Sequence, residues 1–245
     1  MGRFIGGILD NDSTFGRIMT RLAIIIGANL TFVIFAIPVI TIVPGLVALF
    51  YVMLKTLHSD DSLNPFKTFW KGFRMNLKQG IICELGIAAL AFILVQDIRF
   101  SNYQGGILTV FKYPCYALLF FLIVETIYLL PTMAAFEDRI PNLLRNAFFF
   151  AARRPLKMLL AAAIMVIPVA VTIIDTSLRP LYGSLWVLLG FGLLTMMVSE
   201  LLYKDIEEYL PKEESEEELP EERDTDNSRK SKRQVLREMK KLDKK

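Results

Sequence analysis

The sequence predicts an all-α protein: a polytopic transmembrane helix bundle of about six crossings, with amphipathic cytoplasmic helices and a disordered C-terminal tail. Three observations predict it. Hydrophobic residues fill 53% of the 245 positions, although the last forty residues are almost entirely polar. Five apolar stretches (Leu22 to Leu54, Gln79 to Gln96, Tyr113 to Phe136, Met158 to Ile174 and Leu181 to Tyr203) carry at most one charge each, and about 20 apolar residues in a helix cross a hydrocarbon core about 30 Å thick. Basic residues are dense in alternate loops. The segments of about ten alternating residues that mark barrel strands are absent.

The first stretch is too long for one crossing, and Pro38, Pro44 and Gly45 interrupt it. Arg3, Arg17 and Arg21 precede it, and Lys55, Lys67, Lys71, Arg74 and Lys78 follow it. Cytoplasmic loops hold the excess of Lys and Arg, so both flanks belong on one side and a hairpin turns near Pro44. The loop after the third crossing holds only Arg99 and Lys112, and the next brings Arg139, Arg145, Arg153, Arg154 and Lys157. The last external turn carries Arg179. Six crossings follow, with both termini cytoplasmic. The N-terminus lacks the short apolar run and small-residue site of a cleaved signal peptide.

Two internal loops have their own helical pattern. Phe66, Phe69, Trp70, Phe73 and Leu77 share one face at i, i+3, i+4, i+7 and i+11, while Lys67, Lys71, Arg74 and Lys78 share another. Asn64 and Pro65 supply an N-cap and a first-turn proline. Such a helix suits the cytoplasmic interface, its cations toward anionic headgroups or a partner protein. Pro141 to Lys157 is apolar nearly all round. A shift of 77 residues superposes Tyr51 on Tyr128, Asp60 and Asp61 on Glu137 and Asp138, and Phe73 on Phe150, which raises an internal repeat as one reading and coincidence as the other. The transmembrane domain is therefore placed at 1–204. In the tail, 205–245, ten acidic residues lie between Asp205 and Glu222 and nine basic ones between Arg229 and Lys245, a composition that buries too little apolar surface to fold.

Chemistry is sparse. His58 is the one histidine, and no GxxxxGK[ST], HExxH, CxxC or GxGxxG sequence occurs, so neither an enzyme, a metal site nor a cofactor is expected. No nucleic acid is expected as a partner. Cys83 and Cys115 lie in apolar surroundings without a spacing motif and read as small packing residues. Three carboxylates interrupt the crossings. Glu84 and Glu200 fall within a turn or two of cytoplasmic helix ends. Glu125 falls at the midpoint of its stretch, where a charge costs roughly 2.5 to 3.5 kcal/mol and usually faces the bundle interior. It reads either as a packing group bonded to a neighbour such as Asn29 or as a coupling or substrate residue.

Asn29 to Lys55 (NLTFVIFAIPVITIVPGLVALFYVMLK) followed by Phe66 to Gly80 (FKTFWKGFRMNLKQG) resembles the YesL family of bacterial membrane proteins, a domain of unknown function. The similarity in pattern extends more weakly from about Asp10 to Lys204. Family members often have Gly-Ala-Ser after the Thr-Ile pair, where this chain has Val43, Pro44 and Gly45. The resemblance implies a polytopic bacterial membrane protein whose genes accompany carbohydrate importers, and it transfers no site residues. The expected function is an integral membrane accessory protein assisting oligosaccharide uptake, with the lipid bilayer and a carbohydrate importer as partners. The alternative is a small secondary transporter with Glu125 in its path.

Overall fold

The computed structural model describes residues 14–58, 63–104 and 106–207, and among these only helices form. They are α1 (Thr14–Phe35), α2 (Ile42–His58), α3 (Pro65–Gln104), α4 (Lys112–Ala135), α5 (Ile140–Arg153), α6 (Pro155–Ile174), α7 (Arg179–Leu185) and α8 (Phe191–Glu207). Short 3₁₀ turns at Val39–Thr41 and Gly106–Phe111 lead into α2 and α4, and a π turn, Trp186–Gly190, joins α7 to α8. Among the described residues, six helical segments are long and apolar enough to cross a membrane.

Burial separates these segments into two kinds. Helix α2 is apolar all round and packs against α1, α3, α4 and α8; Val47 to Phe50, Val52 and Met53 are wholly buried. Helix α6 is more apolar still, yet Ala161 is its only buried residue. The outer half of α3, with Ile82, Leu85, Leu90, Phe92 and Ile93, and the first half of α4, with Tyr113, Tyr116, Leu118, Phe120 and Phe121, are likewise bare. Water does not tolerate so large a contiguous apolar surface. A helix hydrophobic on every face must be surrounded by protein or by lipid, and the described residues cover little of α6, as a membrane-embedded helix requires.

Backbone polarity is handled within the helices. Thr31, Thr56, Thr126, Thr132, Thr172 and Thr195 each donate their hydroxyl to the carbonyl four residues earlier, at 2.7 to 2.9 Å. A hydroxyl in an apolar medium otherwise lacks a partner.

Two boundaries differ from the sequence expectation. The hairpin turns at Ala36–Thr41, before Pro44. Pro44 is the third residue of α2, where the absence of an N–H costs nothing because early helix N–H groups have no partner in the helix. The amphipathic loop helix and the third crossing are also one element. Nothing between Lys78 and Ile81 breaks a helix beyond Gly80, so α3 runs for 40 residues, about 60 Å at 1.5 Å per residue. The hairpin meets it halfway: a Cβ on Gly80 would lie 2.7 Å from Pro44 Cγ, so only glycine lets α2 approach there. By contrast α5 and α6, the corresponding elements 77 residues later, are separated at Arg154 because Pro155 follows it. The order of elements recurs, but the continuous helix does not. Asp60 and Asp61, part of the proposed repeat, lie outside the described residues, as does the tail from residue 208. Asp205 is not part of an unstructured tail, because α8 carries it.

Candidate functional site

The first half of α3 has one face pinned and one face free. Phe69, Gly72 and Phe73 are buried. Phe69 and Phe73 stack at 6.1 Å and both meet Phe35 of α1, at 5.7 and 5.0 Å, while Gly72 lies against Tyr51 of α2. Asn64 caps the helix, its Oδ1 accepting the Lys67 N–H at 3.1 Å. With this face fixed, Lys67, Trp70, Lys71, Arg74 and Lys78 are all exposed. No hydrogen bond or ion pair joins the side chains of the four cations to any described residue. Trp70 stands beside them, 50% exposed, its ring on Phe35 and Phe73. The four cations share the exposed face, and Trp70, expected on the apolar face, is half-exposed beside them.

The three carboxylates are not brought together: no group of three His, Cys, Asp or Glu converges among the described residues. Glu84 accepts the Val43 N–H at 3.1 Å through Oε2. It therefore caps the N-terminus of α2 from the neighbouring helix, where unpaired N–H groups and the positive end of the helix dipole favour a carboxylate. That bond ties α3 to the start of α2. Glu200 is exposed on α8 and joins no site. Cys83 is buried and Cys115 half-buried, both free thiols.

Glu125 lines a groove of about 730 Å³ between α3, α4, α5 and the start of α6. Its walls are apolar except for Glu125 itself and Arg145 of α5. No hydrogen bond or ion pair joins Glu125 to a described residue, Arg145 included. The expected bond to Asn29 does not form. Asn29 is wholly buried and uses its entire amide elsewhere: Nδ2 donates to the carbonyls of Trp186 at 3.0 Å and Val187 at 2.7 Å, and Oδ1 accepts the Gly192 N–H at 2.8 Å. A π turn displaces the carbonyl-to-amide register by one residue, and one amide with two donors and two acceptor sites replaces what that displacement loses. Gly192 permits this, since a Cβ there would lie 2.9 Å from the Ile25 carbonyl. Trp186 Nε1 in turn donates to Thr172 Oγ1 at 3.0 Å, which ties the π turn to α6.

A second polar cluster escaped the sequence reading. Asp205 receives Arg154 at 2.8 Å and Lys157 at 2.8 Å, and Lys157 also donates to the Leu201 carbonyl at 3.2 Å. Tyr128, buried, lines a small void beside Asp205. Counting Asp205 among the acidic tail residues concealed it; its spacing of three residues from Leu202, which puts both on one helical face, was the available signal.

Comparison with curated proteins and with solved structures finds no match. The model of a family described as Protein of unknown function, DUF624, matches residues 25–98. That is less than a third of the chain and narrower than the similarity expected from Asp10 to Lys204. The matched segment takes in α1 from Ile25, all of α2 and α3 as far as Ile98, so it contains the exposed cation row and Glu84 but neither Glu125 nor Arg145, and it is over this segment that the chain is similar to that family.

Proposed function

We propose that this chain is a non-enzymatic accessory protein of a bacterial plasma membrane that assists oligosaccharide uptake by holding its basic row against the anionic inner surface of the bilayer or an acidic face of an importer. The observation that carries the reading is the row itself: four exposed cations, unpaired among the described residues, and a half-exposed tryptophan on one side of a helix whose other side is locked to α1 and α2. Each cation near an anionic membrane surface contributes about 1 kcal/mol. Tryptophan favours the same interfacial depth. The row also lies inside the segment similar to DUF624. The link to carbohydrate rests on the resemblance to the YesL family. The distribution of basic residues supports a cytoplasmic position for both termini.

The test is uptake of a labelled oligosaccharide by cells lacking the protein and supplied with either the native chain or a variant with Lys67, Lys71, Arg74 and Lys78 changed to glutamine. Native chain should restore uptake, and the variant should accumulate in the membrane without restoring it. Unchanged uptake on deletion would remove the carbohydrate reading. Full restoration by the variant would remove the role of the row.

A rival reading as a small secondary transporter draws on one observation, the unpartnered Glu125 in a groove among four helices. Intramembrane carboxylates of this kind serve as coupling groups in transporters. Under that reading Glu125→Gln accumulates normally and abolishes pH-dependent uptake in reconstituted vesicles; under the accessory reading it leaves uptake intact.

A further inference from the structure

We infer that the groove between α3, α4, α5 and α6 is a binding site for an anionic glycerophospholipid whose headgroup carries a free hydroxyl, with an acyl chain along the apolar walls, phosphate on Arg145 and the hydroxyl at Glu125. The site goes beyond the proposed function and uses none of the basic row.

The volume, about 730 Å³, lies inside the roughly 300 to 1,000 Å³ range of built small-molecule sites. The walls exclude a polar ligand: Leu90 and Leu94 of α3, Leu118 and Phe121 of α4 and Phe148 of α5 present hydrocarbon, and several are bare of protein cover. A hydrocarbon tail fits them. It does not satisfy the other two residues. Arg145 is exposed, contributes a guanidinium that prefers phosphate or carboxylate and forms no ion pair with Glu125. Glu125 has no partner among the described residues, and an unpartnered polar group in apolar surroundings costs free energy. The groove therefore carries an anion-seeking donor and a separate hydrogen-bonding carboxyl, held apart on different helices. A lipid with a phosphate and a glycerol hydroxyl complements both at once. Choline lipids offer the phosphate without a hydroxyl and bring a cation toward Arg145. Helices α3, α4 and α6 face lipid, which supplies the occupant without an aqueous route.

Native mass spectrometry of the full-length chain in mild detergent, with added phosphatidylglycerol, phosphatidylcholine or phosphatidic acid, tests the site. Phosphatidylglycerol should be retained about tenfold better than phosphatidylcholine, a difference of about 1.4 kcal/mol. Arg145→Gln should erase that preference and Arg145→Lys should keep part of it; Arg145 is exposed, so neither substitution disturbs packing. Leu94→Trp, which fills the groove, should remove the bound lipid. Glu125→Leu should reduce phosphatidylglycerol to the level of phosphatidic acid, which lacks the hydroxyl. Lys71→Gln, on the basic row, should change nothing. Equal retention of phosphatidylglycerol and phosphatidylcholine by the native chain would overturn the inference, as would a preference that survives Arg145→Gln or disappears in Lys71→Gln.

Discussion

Replacing Asn29 by leucine removes three hydrogen bonds and takes its amide away from the Trp186 and Val187 carbonyls of the π turn and from the Gly192 N–H in the first turn of α8. Each such group costs roughly 1 to 3 kcal/mol, so Asn29→Leu should lower stability by at least about 2 kcal/mol, read as a fall in the thermal midpoint in detergent. A midpoint equal to the native one would show that the π turn does not depend on α1. Asp175, in the turn after α6, behaves differently. It accepts the Ser177 N–H at 2.9 Å and the Tyr182 hydroxyl at 2.9 Å, and those bonds, the Ser177 amide first, hold its carboxyl below the usual carboxylate range. A depressed value in the folded state contributes stability above the unfolded value, near 3.9, and that contribution is lost as pH falls through the folded value. The native chain should therefore exceed Asp175→Asn in thermal midpoint from neutral pH down to about 4, and the advantage should vanish below that. An advantage independent of pH would contradict this account. Both residues were visible in the sequence as polar groups in or beside apolar runs. Their partners, 157 and 158 residues away for Asn29, were not, because helical periodicity specifies which face a residue occupies but not which helix that face meets.

At the scale of elements, the contact of α2 with α3 fixes the position of the hairpin. Gly80→Leu sets a side chain into Pro44, where a Cβ alone would come within 3.0 Å of backbone. Overpacking of this sort costs about 1 to 3 kcal/mol, and the proline in the first turn of α2 leaves little room for adjustment. Gly80→Leu should lower the thermal midpoint, whereas Gly86→Leu, at a position on the same helix with open space around it, should leave it within a degree or two. Equal effects would mean that lost backbone freedom, not the approach of α2, decides the outcome. Glu84→Ala should cost about 0.5 to 2 kcal/mol through loss of the cap on α2, with Glu84→Gln recovering part of it as an uncharged acceptor. The helices themselves were legible from hydropathy and proline positions. The continuity of α3 was not, because the change from an amphipathic to a uniformly apolar pattern at Gln79 marks a change of surroundings, which need not be a change of helix. The row of Lys67, Lys71, Arg74 and Lys78 was legible in full, since both of its faces follow one helical period and the Asn64 cap fixes where that helix starts.

The whole molecule is organised by what surrounds each helix. Helix α2 is enclosed by protein and α6 is left almost bare of it, although both are long and apolar enough to cross a membrane. No count of apolar residues distinguishes the two cases, which is why the sequence predicted the spans but not the core. Glu125 illustrates the same limit: its depth was readable from its place in an apolar run, whereas the groove and Arg145 depend on α5 folding against α4. The central claim, six crossings with every strongly basic loop on one side, is tested most directly by single cysteines at Ser62, Asn142, Ser228, Asn102 and Ser177 in a chain whose Cys83 and Cys115 are changed to alanine. In intact cells an impermeant thiol reagent should label Asn102→Cys and Ser177→Cys and spare the other three until the membrane is opened. Labelling of Ser62→Cys without labelling of Ser228→Cys would contradict both the hairpin and the six-crossing arrangement.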